Sequence, residues 1–397
     1  VKLLHEISPP LHHDLLADID DVVIDIKKSH VGEPPLADFD DHLKSGIRSL
    51  FGYIEATTWC LTTAVLQHFG SDPSALVNSD RAVLEERDYD ASTDTISSQA
   101  RRYSLFRRFE VGSRTFLQAC GAQPAPPWDA ESIGHFQTLT KARNALTHPA
   151  RIEDLIVTPA FVPFRHMAAW FPLQAMHILA SSAQVLGLPR PPMPAPVAFP
   201  PLAPMPQPKH VFDDDFYKRV FSEPALAIRY IAFFSQKIDD ELRRAFDLCS
   251  TALSPPYTAD KIGRSVRRMV RAVTTNVEGT IGFTSFFMRA VRFSGAKITL
   301  PQPAKGESVP DRMIRVLTAF SRAFGNDVTP DRSSAWDSLV RTFEIRDRLT
   351  HPRVLRDIDL TIGELEPPMK ALDWLWEPAH EAVLLSPDKI AMVVGAR

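Results

Sequence analysis

Apolar residues recur at helical intervals along most of this chain. Leu15, Leu16, Ile19, Val22, Val23 and Ile26 share one face of a helix predicted over 11–28. A longer helix is predicted over 36–68, where Ile47, Leu50, Phe51 and Ile54 follow the i, i+3, i+4, i+7 pattern of a half-buried amphipathic helix. The stretch 71–95 is polar and acidic and predicts a loop or short helix. A third helix is expected from about Ser97 to Ala119, ended by Gly121. A turn follows over 123–127. The next helix starts near Asp129 and carries Phe136 and Leu139 toward Arg143. A closing helix runs from Pro163 to Leu186. The most apolar stretch, Met167 to Leu188, is interrupted by Pro172, Gln174, His177 and Gln184, the pattern of an amphipathic helix rather than a membrane span.

The second half predicts the same order. Helices are expected over 221–248, over 260–291 with Val270, Val273, Val277 and Ile281 as the apolar face, over 313–324 ending at Gly325, over 334–346 and over 364–385. No alternating run is long enough for a strand, and Ala391 to Val394 is too short to build on. The expected fold is all-α: two similar four- to five-helix bundles over 1–188 and 209–397. Between them, residues 189–208 are dominated by proline. Such a run lacks the N–H donors that helix or sheet requires and favours an extended, semi-rigid linker. The other use of such a run is as a ligand for a proline-binding module.

One stretch occurs twice. Lys141-Ala-Arg-Asn-Ala-Leu-Thr-His-Pro149 returns as Glu344-Ile-Arg-Asp-Arg-Leu-Thr-His-Pro352. The matching continues over 151–158 and 354–361 at the same offset, as an internal duplication would leave it. In the long second helix of each half the offset is about twenty residues larger, and there Ile54-Glu55-Ala56-Thr57 corresponds to Val277-Glu278-Gly279-Thr280.

Composition narrows the chemistry. A net charge of −3 excludes the overall basic character of many nucleic-acid binders, so any polyanion site must be a local patch. Arg264, Arg267, Arg268 and Arg271 form one helical stripe that could track RNA, and Arg101, Arg102, Arg107, Arg108 and Arg114 enrich another segment. Either group could equally be a solvated face paired with acidic neighbours. Tyr53, Trp59 and Phe287 could stack on bases or fill cores. Cys60, Cys120 and Cys249 are scattered, which points to a reducing, cytoplasmic compartment rather than a disulfide frame or structural zinc. No charged-then-apolar leader opens the sequence, so no secretory signal is expected. Walker, G-x-G-x-x-G, HExxH and GxSxG motifs are absent. His12-His13 and Asp213-Asp214-Asp215 lack ligand partners at sensible spacing, so neither a metal nor a cofactor is expected.

The pattern Arg-polar-x-x-x-His at the end of a bundle helix resembles the HEPN superfamily (higher eukaryotes and prokaryotes nucleotide-binding domains). Arg143, Asn144 and His148 fit it, as do Arg346, Asp347 and His351, each with four residues between Arg and His. The resemblance spans both halves outside the linker. It implies a metal-independent RNA endonuclease, a toxin-like or defence effector in which two motifs meet at one cleft. Here that would be an intramolecular pseudo-dimer, with Glu55 and Glu278 in support. It further implies RNA as substrate, single-stranded or transfer RNA, and an antitoxin or regulatory protein as partner, with oligomers open. The alternative is a non-catalytic helical scaffold that binds a nucleotide, RNA or a protein.

The residue types suit the chemistry. Imidazole exchanges protons near neutral pH, and a guanidinium fork holds phosphoryl oxygens as charge builds on them. On an uninterrupted helix, residues five apart point about 140° from each other. Both histidines precede proline, which disfavours the α conformation at the His and predicts that each helix ends near its motif. A buried Arg at a helix end can also serve structure alone, by pairing with Glu55 or Glu278. Asp347 adds a negative charge beside the second site where Asn144 adds none.

Overall fold

The long helix α1 spans Leu36–His68 in the first half. Phe39, Leu43, Ile47, Leu50, Ile54, Leu61 and Val65 are buried along it, so the three- and four-residue spacing of its apolar positions does face a core. In this computed structural model the described residues are 17–19, 22–24, 26, 36–70, 72, 75–126, 128–147, 152–190, 214–252, 258–293, 297–302, 304, 306–351, 355–357 and 359–395. Residues 17–19, 22–24 and 26 are helical, in agreement with the first predicted helix where it is described. His12, His13, His148, Asp213 and almost all of the proline-rich 189–208 lie outside the described residues.

After α1 come α2 (Asn78–Leu84), a hairpin of β1 (Arg87–Asp90) and β2 (Thr95–Ala100), α3 (Leu105–Ala119), α4 (Ala130–Thr147) and α5 (Phe161–Leu186). The second half contributes α6 (Asp214–Val220), α7 (Pro224–Ala252), α8 (Ala259–Phe293), α9 (Val309–Phe324), α10 (Ser334–Thr350), α11 (Glu366–Trp374), a π turn at Leu375–Ala379, α12 (His380–Val383) and α13 (Pro387–Gly395). The protein is thus predominantly helical. Among the described residues no helix is long and apolar enough to cross a membrane.

Several expectations are corrected. The antiparallel hairpin β1–β2 stands where a loop and the start of a helix were expected. Its turn uses Asp94 at φ 51°, whose carbonyl accepts from Asn78 Nδ2 at 2.8 Å and whose carboxylate accepts from Tyr89 Oη at 2.8 Å. The third helix consequently begins at Leu105, where the Ser104 hydroxyl caps it by accepting from the Arg107 N–H. Its end is as predicted. Gly121 sits at φ 69°, and Ala122 N–H reaches Leu117 O at 2.9 Å, closing a Schellman motif. The helix expected over 364–385 is broken into α11, the π turn and α12; Pro378, without an N–H, lies inside the π turn. Residues 391–394 are helical, within α13.

The chain forms two compact units that are not its two contiguous halves. The first comprises 1–140, 160–201 and 347–359; the second comprises 141–159, 202–346 and 360–397. In the first, α1 packs against α3 and α5. Tyr53 meets Phe171 edge-on at 5.4 Å, and Trp128 gathers Phe106, Phe136 and Trp170 around it. Gly46 lets α1 approach α5 closely: a Cβ there would stand 2.6 Å from Phe164 Cζ. In the second unit, α8 packs on α7, α9 and α11. Phe234 stacks on Phe283 at 3.7 Å, and Trp336 lies 5.1 Å from Trp374, whose indole N–H donates to Asp331 O at 2.9 Å.

Candidate functional site

The second motif sits at the end of α10. The helix runs through Arg346, Asp347 and Arg348 to Thr350, and His351 N–H still donates to Asp347 O at 2.9 Å. His351 is the first residue past the helix and is exposed, which agrees with a stop before Pro352. Within the first unit, to which 347–359 belongs, the His351 ring lies 4.7 Å from the Trp59 ring with the planes inclined at 57°. Trp59 and Glu55 are four apart on α1 and so share a face, and both are half-buried. His351 is therefore held on the face of α1 that carries Glu55.

Arg346 belongs to the second unit. Its guanidinium Nη2 lies 3.5 Å from Glu278 Oε1, with the side chains 34% and 13% exposed. The Glu expected to accompany the motif does meet its Arg. The contact is a long ion pair, without the short bidentate fork that guanidinium and carboxylate form at their strongest. Asp347, beside it, is exposed.

The first motif closes α4. Arg143 is half-buried and Asn144 exposed, with Arg143 Nη1 donating to Asn144 Oδ1 at 3.3 Å. Thr147 Oγ1 donates to Arg143 O at 2.9 Å and so ties down the last turn. The segment 141–159 belongs to the second unit.

The arginine runs differ from their expected exposure. Arg267 is buried, at 7% exposure, while Arg264, Arg268 and Arg271 are half-buried on α8. Arg267 is thereby removed from any solvated RNA track, and the four do not form a fully exposed stripe. Arg101, Arg107, Arg108 and Arg114 pair with Asp88, Glu110, Glu86 and Asp80, the structural use of such a run. Tyr53 and Phe287 are core residues, so neither can stack on a base.

All three cysteines are free and buried. Burial pushes the Cys60 thiol up to about 12 and Cys249 up to about 11, so neither offers a thiolate nucleophile near neutral pH.

Two further groupings stand out. In the second unit a cavity of about 490 Å³ is bounded by Ile231, Ser235, Asp239, Arg243, His380 and Val383. Burial raises the Asp239 carboxyl above its ordinary range, against the opposing hydrogen bond from Asn276 Nδ2 at 3.3 Å. In the first unit Glu131, His135 and His166 bring ligand atoms within 4.8 Å of one another, a grouping the sequence reading did not single out. The Glu131–His135 spacing of four on a helix is legible in the sequence; the arrival of His166 from α5 is a tertiary event.

No protein-family model matches the chain, and neither a curated protein nor a solved structure does.

Proposed function

We propose that this chain is a tandem HEPN-like, metal-independent RNA endonuclease, its halves arising from a duplication joined by the proline-rich run. The observation that carries the reading is the twice-occurring Arg-polar-x-x-x-His-Pro motif. The placement of the second copy supports it, with an exposed imidazole just past a helix end and the motif's Arg in contact with Glu278. Arg143 with His148 and Arg346 with His351 would act on one phosphodiester. The RNA 2′-oxygen attacks phosphorus as one imidazole takes its proton. The P–O5′ bond breaks and the departing oxygen gains a proton from the other imidazole. The products are a 2′,3′-cyclic phosphate and a 5′-hydroxyl. The guanidinium groups stabilise the charge that builds on the non-bridging oxygens. Trp59 positions the His351 ring, and Glu278 positions Arg346.

The test is incubation of the protein with total or transfer RNA in EDTA, followed by analysis of the ends. The expected result is cleavage to cyclic-phosphate ends, lost in both His148→Ala and His351→Ala. Intact RNA with the wild-type protein overturns the reading.

A second reading is favoured by the same contacts. The Arg346–Glu278 pair and the His351–Trp59 packing also satisfy these side chains structurally, as a helical scaffold for a nucleotide, RNA or protein partner would require. Under it, the alanine variants lose thermal stability and no RNA is cut.

A further inference from the structure

The side chains of Glu131, His135 and His166 converge in the first unit, the first two from the N-terminal turns of α4, the helix that ends in the first motif. Glu131 and His135 are one helical turn apart on α4, and Glu131 Oε1 lies 3.5 Å from His135 Nε2. His166 comes from α5, with its ring centroid 4.6 Å from that of His135 and the planes inclined at 45°. The three ligand atoms lie within 4.8 Å of one another. Metal bonds of about 2.0–2.1 Å in a tetrahedron put neighbouring ligand atoms about 3.4 Å apart. The Glu131–His135 separation is already close to that edge. The Glu131 side chain, 74% exposed, is free to rotate toward the two rings.

A supporting layer orients His166. The hydroxyl of Ser132, fully buried, lies 2.9 Å from His166 Nε2 and donates to Asp129 Oδ2 at 3.2 Å; Ser132 N–H donates to Asp129 Oδ1 at 2.7 Å. The tautomer that completes this chain has His166 Nε2–H donating to the Ser132 oxygen. Nδ1 then carries the free lone pair. Such a carboxylate–hydroxyl–imidazole chain fixes the tautomer and ring orientation that ligation needs.

Charge sorts the alternatives. Two protonated rings at this spacing would repel, whereas two neutral rings can direct lone pairs at one cation. The positive end of α4 opposes a cation, and the Glu131 and Asp129 carboxylates at that end offset it.

We propose that Glu131, His135 and His166 bind one divalent transition-metal ion, of the zinc or cobalt class, with a coordination position left to water. Two imidazoles and a carboxylate suit such borderline ions; magnesium and calcium, which prefer all-oxygen shells, fit poorly. The site is independent of the nuclease reading, whose chemistry requires no metal.

The experiment uses the full chain, stripped with EDTA and desalted, then titrated with Co²⁺. The expected result is one equivalent bound per chain, with the intense visible absorption of four-coordinate cobalt, and displacement by Zn²⁺ but not by Mg²⁺. His135→Ala and His166→Ala each abolish the absorption while far-ultraviolet circular dichroism shows the helices retained. Ser132→Ala weakens binding about 10-fold or more through loss of the supporting bond. His177→Ala, an exposed histidine further along α5, leaves it intact. Absence of stoichiometric cobalt absorption in the wild-type protein, or its persistence in both histidine variants, overturns the proposal. If an alanine variant fails to fold, Glu131→Gln decides instead. It keeps the exposed side chain's shape, and undiminished affinity there is the overturning result.

Discussion

His351 lies against Trp59, with ring centroids 4.7 Å apart and planes inclined at 57°. The imidazole is exposed while the indole is half-buried, so the larger ring is a fixed wall and the smaller one is positioned by it. Trp59→Ala removes that wall. The expected outcomes are a loss of roughly 1–3 kcal/mol in stability, below the cost at a fully buried tryptophan, and about a 10-fold drop in RNA cleavage from the misplaced ring. Trp59→Phe keeps an aromatic face and should recover most of both. Thermal melts and initial cleavage rates check this. Unchanged cleavage in Trp59→Ala removes Trp59 from the positioning role.

Glu278 separates structure from chemistry at Arg346. The pair is long and its Arg partly exposed, so breaking it should cost about 1 kcal/mol. Glu278→Gln is therefore expected to melt within a few degrees of wild type. If Arg346 bears on phosphate, Arg346→Lys should cut cleavage at least 10-fold at nearly unchanged stability, because a point charge cannot replace a planar fork. A lysine variant with full activity would leave Arg346 a structural residue.

Gly46 marks a contact that admits no side chain. A Cβ there would stand 2.6 Å from Phe164 Cζ and 2.9 Å from Val22 Cγ1, and Phe164 is fully buried. Alanine gains about 1 kcal/mol in helix propensity, but overpacking costs about 1–3 kcal/mol. Gly46→Ala should thus lower the melting temperature. Gly52→Ala on the same helix meets nothing within 4 Å and should raise it.

How far the sequence could be read depended on whether a feature buries apolar surface. Helix α1 was legible to its ends because Ile47, Leu50 and Ile54 recur at its period. The hairpin was not: β1 reads Arg-Asp-Tyr-Asp, with no apolar face to alternate, and polar bonds such as Tyr89 to Asp94 hold it. Spacing showed that Arg264, Arg267, Arg268 and Arg271 share a face of α8. It could not show that this face buries Arg267, since periodicity groups residues without saying what lies opposite. The membership of 347–359 in the first unit, which brings His351 to Trp59, is likewise a long-range outcome that no local pattern encodes.

Asp239 gives a pH test of the second unit. Burial raises its carboxyl above the ordinary value, and the hydrogen bond from Asn276 and the charges of His380 and Arg243 only partly oppose this; Asp240 adds to it. A folded-state value above the unfolded one means that the native protein holds the proton more tightly. Stability from this group is therefore largest at low pH. It falls as pH rises from the unfolded value through the raised folded one, leaving a destabilising, partly desolvated charge at neutral pH. Asp239→Asn keeps an oxygen to accept from Asn276 and carries no charge. It should be more stable than wild type at neutral pH, with the difference shrinking as the pH falls below the ordinary carboxylate range. Melting temperatures of both proteins across that interval check the sign. A variant less stable than wild type at neutral pH would mean that the Asp239 charge is compensated by Arg243 and His380 more fully than its burial suggests.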